Sequence, residues 1–125
     1  MRILVVEDER SVAEYLQQSL EELGCSSFIA GDAEKAAELL QLYEIDAITL
    51  DLGIPGKGGL AWLEELAREQ PELARKTLVI TGSFLESEGI RRLADCGAGI
   101  LAKPFTVDQL REAVRVQLER PGIKT

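Results

Sequence analysis

Histidine is absent from the 125 residues, and cysteine occurs only twice. Without an imidazole the chain has no histidine base, no histidine-ligated metal and no Ser-His-Asp triad. Cys25 and Cys96 lie far apart along the sequence, so they cannot form a zinc site by themselves. No apolar run approaches the roughly 20 residues that cross a bilayer as a helix. These absences exclude triad hydrolases, common zinc sites and helical membrane spans.

Basic residues are also scarce. The chain has 14 Lys and Arg against 22 Asp and Glu, a net charge of −8. Such a surface repels phosphate backbones and anionic lipids, so we expect this domain to bind neither nucleic acid nor membrane. The N-terminus becomes acidic at Glu7, too early for a signal peptide. We therefore expect a cytoplasmic, reduced protein.

What remains is the composition of one soluble domain, with 46% hydrophobic and 29% charged residues. A chain of this length has enough apolar surface for a single core. It contains no internal repeat and no linker long enough to separate two domains. We predict one domain over residues 1–120, with residues 121–125 as a C-terminal tail or linker stub.

Short apolar runs alternate with helical patterns along the whole chain. The runs are continuous rather than alternating, which favours parallel strands covered on both faces; they lie at 3–6, 26–30, 47–50, 77–80 and 99–102. Five amphipathic stretches follow them, with predicted N-caps at Ser11 and Thr106, a second helix that follows Asp32 and a third helix that ends near Pro71. Strict alternation predicts an α/β fold, a flavodoxin-like, doubly wound (βα)5 sandwich with strand order 2-1-3-4-5.

Polar residues follow four of the predicted strands. The first strand runs into Glu7, Asp8 and Glu9, and the others into Asp51, Thr81 and Lys103. Because parallel strands end at the same edge of a sheet, we expect these side chains to converge. Carboxylates without histidine or thiol favour Mg²⁺, and a lysine and a hydroxyl bind phosphoryl oxygens. The pattern predicts phosphoryl chemistry on an aspartate, with Lys103 paired to Asp51 when no phosphoryl group is bound.

At these residues the chain resembles the receiver domain of two-component response regulators, over about residues 2–119. The resemblance rests on four motifs in matching order: VVEDE at 5–9, DLGIPGKGG at 51–59, VITGS at 79–83 and AKPF at 102–105. It implies that Asp51 is the phosphoacceptor and that Thr81 and Lys103 contact the phosphoryl group. It also implies Mg²⁺ as the cofactor, held by Glu7, Asp8, Asp51 and the backbone carbonyl of Gly53.

The resemblance further implies the partners. The phosphoryl donor would be the phosphohistidine of a histidine kinase or a histidine phosphotransfer protein, and a longer chain would add an output domain or a hybrid kinase. The protein would catalyse only its own phosphorylation and dephosphorylation, and so would not be a turnover enzyme. The family's cis peptide is expected between Lys103 and Pro104.

Three residues depart from the family pattern. Glu7 replaces the more usual aspartate, and Gly58 stands where an aspartate is frequent. Ile100 occupies a position where many members carry an aromatic ring that turns inward with the threonine. Isoleucine cannot swing in the same way, so we expect any output change to use loop 82–88, the predicted fourth helix or the predicted fifth helix.

Other functions stay open at this point. The main alternative is a receiver-like interaction module that works without phosphorylation. A phosphatase of the haloacid dehalogenase type needs a second aspartate where this chain has Gly53, and a flavodoxin would not place Glu7, Asp8 and Glu9 beside its ligand's phosphate. Taken singly, each of these polar residues is an ordinary surface, loop or cap residue.

Overall fold

The five apolar runs form five parallel strands in a computed structural model that describes residues 1–56, 58–82 and 85–118. The predicted tail, 121–125, and the predicted domain end at 120 lie outside these ranges. The strands are neighbours in the order β2-β1-β3-β4-β5, which confirms the predicted topology. Their bounds are β1 Arg2–Val6, β2 Ser26–Ala30, β3 Ala47–Leu50, β4 Thr77–Thr81 and β5 Gly99–Ala102.

Six α-helices occur among the described residues, one more than predicted. They are α1 Arg10–Glu22, α2 Ala33–Leu42, α3 Gly59–Glu69, α4 Pro71–Arg75, α5 Ser87–Asp95 and α6 Val107–Ala113, which continues as a π-helical turn, Val114–Leu118. The prediction of strict alternation is wrong at Pro71, which starts α4 directly after α3 ends. A proline suits the first turn of a helix, since the amide hydrogen it lacks has no partner there.

The predicted cap at Thr106 and the predicted helix start after Asp32 are confirmed. Asp32 accepts a hydrogen bond from the backbone of Lys35 (2.7 Å). Thr106 accepts one from the backbone of Gln109 (3.0 Å), whose side chain accepts one from the Thr106 amide in return (2.8 Å). The predicted cap at Ser11 is wrong, because α1 begins at Arg10 with Glu9 at the cap position and no side-chain cap bond.

Two apolar layers cover the sheet, one on each face. Successive residues of a strand point to opposite faces, so Leu4 and Val6 join one layer while Ile3 and Val5 join the other. The first layer is completed by α2, α3, α4 and α5, and the second by α1 and α6. Burial on both faces explains the continuous apolar character of the central strands β1, β3 and β4, whereas the edge strands β2 and β5 are only partly buried. In the part of the chain that the structure describes, no helix has the length and apolar character of a membrane span.

Candidate functional site

The polar residues that follow β1, β3 and β5 meet at one edge of the sheet. The register pairs Val6 with Leu50, and the amide of Asp51 donates to the carbonyl of Val6 (2.9 Å). On the other side of β4, the amide of Lys103 donates to the carbonyl of Thr81 (2.9 Å). Pairing of the strand ends therefore places Glu7 beside Asp51, and Lys103 beside Thr81, as the topology predicts.

Three carboxylates form the acidic part of this edge. Glu7, Asp8 and Asp51 each offer an oxygen within 4.8 Å of the other two. Glu7 is buried (3% exposed), Asp51 is partly buried and Asp8 is exposed. A set of hard oxygen donors that is closed on one side and open to solvent on the other fits Mg²⁺, which keeps several of its waters. The donor chemistry therefore suits the predicted magnesium ion.

Gly53 lies two residues beyond Asp51, in the turn that leaves β3. Its amide donates a hydrogen bond to Asp51 Oδ1 (3.0 Å), which orients the carboxylate. The sequence pointed to the carbonyl of Gly53 and missed this amide contact. A hydrogen bond from a residue two positions on is a common feature of aspartate in turns, so the Asp-x-Gly pattern was a usable signal.

Lys103 reaches both buried members of the acidic cluster. Its Nζ lies 3.2 Å from Glu7 Oε1 and 3.7 Å from Asp51 Oδ2. Lys103 therefore pairs with Asp51 as expected, but its nearer partner is Glu7, which the sequence did not indicate. Burial opposes the charge of Lys103, yet the hydrogen bond to Glu7 and the charges of Asp51 and Glu9 raise its pKa above the ordinary value. The cluster therefore holds a charged ammonium.

Glu7 is the most perturbed acid of the site. Burial, followed by a hydrogen bond with Asp51, raises the pKa of Glu7 from 4.5 to about 7. The amide of Glu9, which donates to Glu7 Oε2 (3.2 Å), and the ammonium of Lys103 act in the opposite direction. Carboxylates this close cannot all ionise freely without a compensating cation. The raised pKa of Glu7 therefore reflects burial and crowding with Asp51 that the ammonium of Lys103 offsets only in part.

Thr81 ends β4, the strand that lies between β3 and β5. It is 4% exposed, and the next residue, Gly82, is exposed. The Thr81 residue thus lies between the strand that carries Asp51 and the strand that carries Lys103. Of the loop proposed for output, 82–88, residues 83 and 84 lie outside the described ranges. Ile100 lies on the edge strand β5 and is 42% exposed.

Glycines shape the loop between Asp51 and α3. Gly56 and Gly58 have positive φ angles of 95° and 89°, the region that glycine adopts without steric cost. Gly59 begins α3 and does not have a positive φ. Gly59 is required for a different reason: a Cβ there would lie 2.6 Å from the Cα of Leu52.

Comparison with known proteins places these features in a family. The profile of the response regulator receiver domain matches residues 3–115. "Response regulator MprA" of Mycobacterium leprae is 36% identical over 121 residues, which cover 96% of this chain and 52% of that protein. The chain thus spans about half the length of the curated relatives it matches.

Solved structures give the same picture. A CheY-like receiver domain protein from Methanospirillum hungatei superposes with a TM-score of 0.84 over 94% of this chain and 93% of that chain; at 24% identity it supports the fold alone. The signal receiver domain of a histidine kinase from Syntrophus aciditrophicus is 31% identical, with a TM-score of 0.77 over 94% of this chain and 89% of that one.

Proposed function

The chain belongs to the response regulator receiver domain family, and from that membership we propose that Asp51 is the phosphoacceptor of a two-component signalling system. One observation carries the proposal. The ammonium of Lys103 lies within 4 Å of both Glu7 and Asp51, at 3.2 and 3.7 Å. A cation held against an aspartate at the open edge of a sheet is positioned to receive the oxygens of a phosphoryl group on that aspartate.

The reaction is a transfer from a phosphohistidine. A carboxylate oxygen of Asp51 forms a bond to phosphorus as the phosphorus–nitrogen bond breaks, and the imidazole leaves with the electron pair. The amide of Gly53 orients the carboxylate through Oδ1, which leaves Oδ2, on the Lys103 side, as the oxygen available for attack. Positioning and charge stabilisation are the main contributions that a protein makes to such a transfer.

Each remaining residue acts on the phosphoryl oxygens. Lys103 exchanges its contact with Asp51 for one with a phosphoryl oxygen. The hydroxyl of Thr81 donates a hydrogen bond to a second phosphoryl oxygen. Glu7, Asp8, Asp51 and the carbonyl of Gly53 would hold Mg²⁺, which supplies positive charge to the same oxygens when it is bound. Gly82 adds no side chain over the site, so a partner or a water molecule can approach.

The product is an acyl phosphate on the chain itself. We therefore propose that the domain catalyses its own phosphorylation and dephosphorylation and is not a turnover enzyme. Its proposed partners are a histidine kinase or a histidine phosphotransfer protein, and an output domain or hybrid kinase in a longer chain. Cys25 and Cys96 are buried in opposite apolar layers of the sheet, so they are not paired with each other. This suits a reducing compartment, and we propose the cytoplasm.

The test is intact mass after incubation with acetyl phosphate, with and without Mg²⁺. We expect the unmodified protein to gain the mass of one phosphoryl group only when Mg²⁺ is present, and Asp51→Asn to gain none. Asp95→Asn, which changes an exposed carboxylate on α5, is the matched control and should be labelled like the unmodified protein. An unlabelled wild-type protein would instead favour an interaction module that works without phosphorylation.

A further inference from the structure

A groove of about 680 Å³ opens between α2 and α3. At one end it is lined by Pro55 and Gly56, from the loop that follows the proposed phosphoacceptor. Neither Asp51 nor Lys103 lines it, so the groove is separate from the phosphoryl site. Its volume is in the range that binding sites of proteins occupy.

The floor of the groove is apolar and comes from both helices. Trp62 and Leu66 lie one turn apart on α3, and Leu40 and Ala37 face them from α2. Trp62 and Leu66 are 6% and 5% exposed, so their side chains are already packed in place. Apolar groups that enter the groove would therefore meet a preformed surface, which lowers the cost of ordering on binding.

The rim of the groove carries charge of one sign. Four of its lining residues are acidic, namely Asp32, Glu34, Glu65 and Glu69, and none of the described lining residues is basic. Lys35, the basic residue of α2 that follows Glu34 in sequence, pairs with Glu38 (3.4 Å). Carboxylates around an apolar cleft focus a negative potential over it, because its walls have a low dielectric constant.

We propose that this groove binds a cationic amphipathic helix of a partner protein. The two walls, α2 and α3, have 10 and 11 residues, which at 1.5 Å per residue give about 15 Å, the length of about three helical turns. A helix laid between them would insert apolar side chains at i, i+3, i+4 and i+7 over Trp62 and Leu40. Lysine or arginine on its flanks would lie against the acidic rim, and this charge complementarity selects the partner.

Trp62 makes the proposal directly measurable, since it is the single tryptophan of the chain. The probe is a peptide of about 14 residues with both ends blocked. It carries leucine at positions i, i+3, i+4 and i+7 of the helix and lysine on the two flanks of that apolar face. The control peptide carries glutamate in place of each lysine. We expect the lysine peptide to shift Trp62 fluorescence and to bind at least about tenfold more tightly than the glutamate peptide.

Two variants separate the groove from the rest of the surface. Ala37→Lys adds bulk and positive charge to the groove. We therefore expect this variant to bind the lysine peptide at least about tenfold more weakly than the wild type does. Ala94→Lys changes an equally exposed alanine on α5 and should bind like the wild type. Both should still accept phosphate from acetyl phosphate, which shows that the fold and the phosphoryl site are intact.

Charge neutralisation is the second arm of the test. The double variant Glu34→Gln/Glu69→Gln should lose most of the preference for lysine, while Glu21→Gln/Glu22→Gln on α1, which packs on the other face of the sheet, should keep it. Equal affinity for both peptides, or equal binding by the Ala37 and Ala94 variants, would overturn the proposal. A third outcome would also overturn it: dodecyltrimethylammonium shifts the fluorescence of Trp62 while the lysine peptide does not bind. That result would identify a site for small lipophilic cations.

Discussion

Lys103 donates a hydrogen bond from the end of β5 to the buried carboxylate of Glu7 at the end of β1, with Nζ 3.2 Å from Oε1. The two strands are separated in the sheet by β3 and β4. The lysine side chain therefore spans the width of the proposed site and balances the charge of its least exposed acid. This one contact couples the stability of the domain to the site that we propose takes the phosphoryl group.

Replacing Lys103 with methionine keeps the length of the side chain and removes its charge. Because Glu7 would then be a buried acid without a cation, we expect Lys103→Met to lower the free energy of unfolding in EDTA by about 1–3 kcal/mol. Mg²⁺ should raise the melting temperature more in the variant than in the wild type. Lys35→Met, which breaks an exposed pair on α2, is the control; an equal loss in both variants would contradict the prediction.

The raised pKa of Glu7 predicts how stability depends on pH without a metal. Between the unfolded value of 4.5 and the folded value of about 7, the native state binds more protons at Glu7 than the unfolded state does. The contribution of Glu7 to stability is therefore present at low pH and lost as the pH rises through this window. We expect its loss to amount to about 1–3 kcal/mol by pH 8.

Denaturant unfolding in EDTA at pH 5 and pH 8 measures this effect. The comparison is with Glu7→Gln, which cannot titrate, so the difference between the two proteins isolates Glu7 from the other acids. The pKa values of Glu64 and Glu112 are lowered by Arg92 and Arg115, so their contributions to stability are lost only as the pH falls. Both residues are unchanged in the variant, and their contributions therefore cancel in the comparison. Parallel pH profiles for the two proteins would show that Glu7 ionises normally.

Gly59→Ala tests how closely the start of α3 packs against the backbone of Asp51 and Leu52. The added Cβ would lie 2.6 Å from Leu52 Cα and 2.9 Å from the Asp51 carbonyl oxygen. Because both are backbone atoms, the loop must move, and we expect a loss of about 1–3 kcal/mol in stability and slower labelling by acetyl phosphate. Gly89 lies in α5, and a Cβ there would make only an ordinary 3.7 Å contact with Leu85. We expect Gly89→Ala to raise the free energy of unfolding by about 0.5–1 kcal/mol, because alanine favours a helix more than glycine does.

Gln117 joins three segments at the end of the sheet opposite the site. Its Nε2 donates to the carbonyls of Arg75 (2.6 Å) and Gly97 (2.8 Å), and the residue is 8% exposed. Gln117→Leu removes this donor from two partly buried carbonyls, so we expect the free energy of unfolding, measured by chemical denaturation, to fall by about 1–3 kcal/mol. Gln18→Leu, on the exposed surface of α1, should change stability by less than about 0.5 kcal/mol.

Local sequence was sufficient to predict most of the architecture. Parallel strands buried on both faces must be continuously apolar, so runs such as Ala47–Leu50 mark strands with little ambiguity. The strand order was predicted by analogy with flavodoxin-like sheets, and the structure confirms it. The convergence of Glu7, Asp51, Thr81 and Lys103 then follows, because parallel strands all end at one edge. Asp32 and Thr106 were predictable as caps, since each accepts a bond from an amide only three residues ahead.

Other features depend on distances between residues that are far apart along the chain. Pro71 reads as a helix end in sequence and starts α4 in the structure, a choice that depends on how Leu73 and Ala74 pack into the core. Lys103 was expected at Asp51, and its nearer contact is Glu7, because the separation of two strand ends decides which carboxylate it reaches. Composition and periodicity thus determine which residues are buried and at which edge polar groups collect, whereas ion-pair partners and the groove between α2 and α3 follow from packing between segments, which no local pattern records.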